Sequence, residues 1–310
     1  MAIPSFLYKY KAFSNFLLEE LCGSATYFAS PNSFNDPLDS KPSIEDDLSL
    51  SDKKLLLAAL LKEHKPKQDP EQVLAEFDYL AREENESDKA AARFTRLIDS
   101  EIERLLLHEI GQRGVFSLAE KWNCPLMWSH YAHNHEGLCL EYSTHDHAAR
   151  NLLQVRYDAD RAIALSALFD WKVKNLRGAR QKVLELAFLS KAEAWRYESE
   201  WRILGKCPGS HGAPLELTGI YFGQRCSAAI ETAIVKTLCD VTPRLAFYRV
   251  RFHPRTFDLY RDEIDTDEVV QTGVRPSAAL IFGREMAPVL PPGAIPLVAP
   301  EPDEGPPYFQ

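Results

Sequence analysis

The chain has 310 residues, 45% of them hydrophobic, with 36 lysines and arginines against 45 aspartates and glutamates. That length can bury one large core or two modest ones, and no apolar run reaches the length of a membrane span. The formal net charge of −9 argues against general nucleic-acid binding, which needs a basic face for phosphates. No basic-then-apolar leader opens the chain, and the cysteines at 22, 124, 139, 207, 226 and 239 form no CxxC pair. Free thiols in a cytoplasmic protein, with no structural zinc, are therefore the expectation.

In chain order, FLYKY (Phe6–Tyr10) reads as a strand. Ser14 is placed to cap a short helix carrying Phe16, Leu17, Leu18 and Leu21, which Gly23 ends. ATYFAS (Ala25–Ser30) reads as a second strand, followed by the turn-rich loop SPNSFNDPLDS (Ser30–Ser40). Residues from about 45 to 112 read as an all-helical insertion. Asp69-Pro70 is a helix start, and Phe94, Leu97, Ile98, Ile102, Leu105 and Leu106 lie in helical register up to Gly111. Strands are expected at Gly114–Glu120, Gly137–Ser143 and Leu152–Asp158, then helices over about 161–174 and 178–192. WRILGK and LTGIYFG read as strands, Ala228–Leu238 as a helix and Leu245–Phe252 as a partly exposed strand. From Met286 onward eight prolines set a tail that favours extended polyproline conformation. The expected architecture is one α+β domain over residues 1–285, a compact mixed sheet with the helical insertion, and a Pro-rich tail over 286–310.

Chemistry concentrates in four islands: LYKY, YFASPNSFNDPLD, MWSHYAHNHEGLCLEY and WRYESEWR. Each sets aromatic rings beside ionisable groups, the make-up of a small-molecule pocket. In WRYESEWR, Glu198 and Glu200 would face the same side if both lay on one strand. There they either join a structural ion network with Arg196, Arg202 and Lys191 or work on a substrate. Asn35 and Asp36 fit both turn chemistry and a pocket rim. His130, His133, His135, His145 and His147 cluster without the i,i+4 spacing of a zinc helix, so no metal is expected, and His130 or His135 is read as a pocket hydrogen-bonding or proton-transfer group. Trp128 reads as core and Tyr131, with its hydroxyl, as a pocket residue. Tyr8 and Lys9 point to opposite faces of their strand, Lys9 as a phosphate-binding cation or Tyr8 as a stacking ring.

These four islands, in their order and spacing over most of residues 6–222, resemble the uncharacterised bacterial family called domain of unknown function 2971. More distantly the chain is similar to the ADP-ribosyltransferase superfamily. That second resemblance implies an ADP-ribosyltransferase-like fold, NAD as substrate, and a late-strand glutamate that stabilises the ribosyl cation formed as nicotinamide leaves. Carried onto this sequence, Glu200, or else Glu198, is the carboxylate, Ser30 the hydroxyl, and Tyr27 or Tyr131 the stacking ring. Tyr8, Lys9 and Tyr10 occupy the first-strand position, which lacks the superfamily's usual His or Arg. The implied role is transfer of ADP-ribose to a macromolecular or nucleotide acceptor, as a toxin or anti-phage effector. Two other functions fit the same residues. One is an acid–base hydrolase or nuclease using His130, His135 and Glu200, and the other is a non-enzymatic module that senses a ligand or contacts a partner.

Overall fold

The computed structural model describes residues 3–83, 87–145, 150–157, 160–240 and 244–274. His147 and the Pro-rich tail over 286–310 lie outside the described residues.

Strand β1 (Phe6–Lys11) leads through α1 (Asn15–Cys22) to β2 (Ala25–Phe28), a 3-10 turn (Pro31–Ser33) and β3 (Ser43–Glu45). Ser14 caps α1 by accepting from the Leu17 amide, as its position predicts. Three helices follow, α2 (Leu50–His64), α3 (Pro70–Arg82) and α4 (Ser87–Gly111), with Asp69 capping the second. Then come β4 (Gly114–Ala119), α5 (Pro125–Tyr131), β5 (Leu138–Ser143), β6 (Leu153–Gln154), β7 (Ala162–Ala164), α6 (Leu165–Lys172) and α7 (Arg177–Leu189). A second 3-10 turn (Glu193–Glu198) precedes β8 (Glu200–Gly205), β9 (Gly209–Gly212), β10 (Leu217–Phe222), α8 (Ala228–Leu238), β11 (Ala246–Phe252), β12 (Leu259–Glu263) and α9 (Thr266–Thr272).

The expected α+β class with a mixed sheet holds. Eight strands join in the order β12-β11-β10-β5-β1-β4-β8-β6, antiparallel except for the parallel β10–β11 pair. On one face, Leu7, Leu140, Trp201, Ile203 and Phe247 pack under α1, α8 and α9 through Leu17, Ile234, Val235 and Val269. The other face is divided. One part carries an aromatic cluster in which Tyr10, Cys139 and Tyr221 meet Met127 and Trp128 of α5. The other part, around Val115, belongs to a helical core in which Leu57, Leu60, Ile102 and Leu106 of α2 and α4 pack with Leu168, Val183 and Phe188 of α6 and α7. The helices read as an insertion thus do not stand apart; they share one continuous core with α6 and α7.

One expectation is corrected by geometry, and one open alternative is decided by it. Of the strand read over Leu152–Asp158, Asp158 lies outside the described residues and the rest is cut to Leu153–Gln154, the two residues that form a ladder with β8. Glu198 and Glu200 do not share a strand: Glu198 ends the 3-10 turn, Ser199 adopts φ 45, and β8 begins only at Glu200. Among the described residues, no helix is long and apolar enough to cross a membrane.

Candidate functional site

Directly paired residues share a sheet face, and the ladders set Glu141, Tyr8, Ala119 and Glu200 in one row across β5, β1, β4 and β8. Strands β1 and β4 pair only at Tyr8 and Ala119 and then part. At the split, the Lys9 ammonium donates to the Ser117 carbonyl at 2.8 Å. A cavity of about 260 Å³ opens here, between the α5 aromatic cluster and the helical core.

Its polar wall is a buried ion network drawn from four separated segments. The Arg202 side chain is fully buried. Its Nε and one terminal nitrogen donate to the two oxygens of Glu200 at 2.8 and 2.9 Å, and its terminal nitrogens to Asp39 at 2.9 and 2.6 Å. The Phe188 carbonyl and the Ser40 hydroxyl accept further bonds at 2.7 and 3.1 Å, so the guanidinium has no donor left over. Lys191 lies 2.5 Å from Glu198, 3.1 Å from Glu200 and 3.3 Å from Asp39. Glu198 accepts the Tyr131 hydroxyl on its other oxygen at 2.7 Å, and Asn35 donates to that hydroxyl at 3.2 Å. An unbroken chain therefore runs from Asn35 through Tyr131, Glu198, Lys191 and Glu200 to Arg202 and Asp39.

Three carboxylates share two cations in this network, so one of them lacks a full counter-charge. Burial pushes the Glu200 carboxyl up, but Arg202 and then Lys191 overcome it and hold the group well below the usual carboxylate range. At Glu198 burial wins, helped by the Glu200 charge against Lys191, and its pKa rises. Burial, then the Glu198 charge, raises the Tyr131 hydroxyl. Lys9 makes no ion pair among the described residues. Burial, then repulsion from Lys11, lowers its pKa to about 8. The site thus holds one fixed carboxylate, one protonatable carboxyl and one weakened ammonium.

Of the residues singled out from sequence, the cavity gathers Tyr8, Lys9, Tyr10, Asn35, Tyr131, Glu198 and Glu200. Tyr10 serves packing more than contact, for its ring meets Trp128 edge-on and its hydroxyl donates to the Lys121 carbonyl at 2.7 Å. Ser30 is elsewhere: its hydroxyl donates to the Gly111 carbonyl at 2.9 Å and caps the first 3-10 turn. Asp36 is a turn residue, accepting the Leu38 amide at 2.9 Å. His130 stands outside the cavity wall, exposed, in an aromatic group with Trp195 and Tyr197 at centroid distances of 6.3 Å. His133 pairs with Glu136 at 3.5 Å and His135 stacks on Trp128. Arg196 pairs on the surface with Glu193.

Sequence reasoning passed over Asp39 and Ser117 and treated Lys191 and Arg202 only as neutralising charges. Asp39 lies 163 positions before the arginine it holds, a separation no local pattern encodes. Among the described residues, Glu63, His64 and Glu109 stand close enough to suggest a metal. There, however, the Lys172 ammonium sits 2.8 Å from Glu63 and 2.7 Å from Glu109 and answers their charge.

Neither curated proteins nor solved structures give a match to this chain. Residues 127–203, which carry Tyr131, Lys191, Glu198, Glu200 and Arg202, match the model of a family described as protein of unknown function (DUF2971).

Proposed function

We propose that the cavity is the active site of an enzyme acting on a nucleotide such as NAD, with Glu198 as the carboxylate that meets the substrate. The observation that carries this reading is the unequal state of the two glutamates. Both oxygens of Glu200 are committed to Arg202 and Lys191, whereas Glu198 is the member of the network whose charge is least satisfied. A buried carboxyl of raised pKa on a cavity wall suits acid–base work or the stabilisation of developing positive charge.

The cavity volume of about 260 Å³ falls at the small end of the roughly 300–1,000 Å³ usual for ligand sites. It suits one heterocycle with its ribose, so the rest of a dinucleotide would lie outside, towards Trp195 and Tyr197. In this scheme a ribose hydroxyl replaces Tyr131 as donor to Glu198. As the bond to nicotinamide breaks, its electron pair leaves with the base and the ribosyl carbon gains positive charge opposite Glu198. An acceptor nucleophile then forms the new bond and loses its proton. Lys9 answers an anionic group of the ligand, and Glu200, Arg202 and Asp39 hold Lys191 and β8 in place. The resemblance to ADP-ribosyltransferases supports the choice of NAD, and a toxin or anti-phage role rests on that resemblance alone. If water is the acceptor, the same residues make a hydrolase, with Glu198 and Tyr131 in the part first given to His130.

Calorimetric titration with NAD, paired with an assay for released nicotinamide, tests this. The wild-type chain is expected to bind NAD and release nicotinamide. Glu198→Gln is expected to keep binding within a few-fold and lose about 10²–10³ in rate, the scale of a lost transition-state contact. A folded protein that does not bind millimolar NAD overturns the reading. Binding without release of nicotinamide turns it into a ligand sensor.

A further inference from the structure

Two residues that line the first cavity, Tyr131 and Lys191, also touch an aromatic rim outside it. The ring of His130, on the last turn of α5, stands 6.3 Å from that of Tyr131. The Lys191 ammonium lies 5.2 Å from the ring centroid of Trp195, on the 3-10 turn that ends at Glu198. Tyr197 of the same turn completes the group, 6.0 Å from Trp195 and 6.3 Å from His130. His130 is exposed, and Trp195 and Tyr197 are half-buried.

Packing does not account for these rings. Trp195 joins none of the three hydrophobic cores among the described residues. Trp128 and Trp201 donate their indole N–H to the Trp122 carbonyl and to Glu120. The indole N–H of Trp195 and the ring nitrogens of His130 make no hydrogen bond among the described residues. Aromatic rings at a surface, with polar edges unused, suit a stacked heteroaromatic base, which offers a π face to the ring and acceptors to the edge.

We propose that His130, Trp195 and Tyr197 form the subsite of a second base, so that the ligand is a dinucleotide with one ring in the cavity and the other stacked on the rim. This rests on the nucleotide reading of the cavity. A space of about 260 Å³ takes one base with its ribose, and the rim adjoins two of the residues that line it. His130 is then a stacking ring and not the proton-transfer group. Binding energy gathered at the rim, remote from the bond that breaks, holds the reacting ring in place.

The test measures binding to the full chain by calorimetry and tryptophan fluorescence, with NAD, nicotinamide mononucleotide and AMP as probes. NAD is expected to bind about ten-fold or more tightly than nicotinamide mononucleotide, the scale of one added base stack. Trp195→Ala is expected to weaken NAD about five- to hundred-fold, the range of a lost stack, and to leave nicotinamide mononucleotide unchanged. Trp195→Phe should recover most of the loss. Should Trp195→Ala fail to fold, His130→Ala, at an exposed position, is expected to weaken NAD alone in the same sense. NAD bound equally by wild type and both alanine variants, or no more tightly than the mononucleotide, overturns the rim and leaves the cavity reading standing. AMP binding that Trp195→Ala abolishes, with nicotinamide mononucleotide unbound, supports the rim as a base site and overturns the reading of the cavity. No binding of any of the three probes overturns both.

Discussion

Arg202 is the residue on which the first site turns. It is buried without exposure and donates to Glu200, Asp39, Ser40 and the Phe188 carbonyl at once. Removing it leaves three carboxylates, Asp39, Glu198 and Glu200, buried against a single lysine. Arg202→Met is therefore expected to cost about 3–5 kcal/mol, the range for breaking one side of a buried ion pair, as read from denaturant midpoints. Lys9 gives a pH signature of its own. Its folded pKa is about 8 against an ordinary 10.5, so the cost of keeping it charged in the fold is full below pH 8. Between those values the unfolded chain binds more protons than the folded one, and the cost fades as pH rises. Unfolding free energies of wild type and Lys9→Met, compared from pH 7.5 to roughly 10.5, should converge on removal of this slope in the variant. Glu200 acts in the other direction. Its depressed pKa contributes stability above its ordinary value of 4.5, lost as pH falls toward the folded value.

At the scale of elements, the turn after α5 positions Tyr131. His133, Asn134 and His135 all hold positive φ, at 47, 53 and 69°, a conformation that costs side-chain-bearing residues about 1–2 kcal/mol each. Backbone contacts repay it: the His135 carbonyl accepts the Arg225 amide at 3.0 Å, and the Gly137 amide donates to Ala132 at 2.8 Å. Gly223, just past β10, makes this approach possible, for a Cβ there would stand 2.1 Å from the His135 carbonyl oxygen. Gly223→Ala is expected to push the turn away, cost about 1–3 kcal/mol in thermal or chemical unfolding, and weaken ligand binding at the first cavity through Tyr131. The kink at Ser199 works on the same scale. It lets a 3-10 turn and a strand deliver two glutamates to one lysine, which a continuous strand would present in a single row.

Across the molecule, the helical core buttresses the cavity at the split between β1 and β4. Because α2 and α4 share that core with α6 and α7, damage to the helices should be felt by the sheet. Ile102 is fully buried, and Ile102→Ala is expected to lower global stability by about 2–5 kcal/mol. Far-ultraviolet dichroism and tryptophan fluorescence should still report one coincident transition. Two separate transitions would show instead that the helices unfold on their own.

Local rules settled the elements whose residues decide their own conformation. Ser14 and Asp69 cap the helices they were read to cap, the helix over Ala228–Leu238 lies where its apolar spacing puts it, and β1, β5 and β10 occupy their aromatic and branched runs. Aromatic and ionisable residues grouped in four islands were enough to mark Tyr8, Lys9, Asn35, Tyr131, Glu198 and Glu200 for one cavity. What the islands could not carry was the division of labour inside it. Whether Glu198 or Glu200 keeps its charge depends on Asp39, Lys191 and Arg202, which meet only when the loop before β3, the end of α7 and β8 converge. Electrostatic energy falls with distance in space, not along the chain, and so the state of each carboxyl was decided by tertiary structure alone.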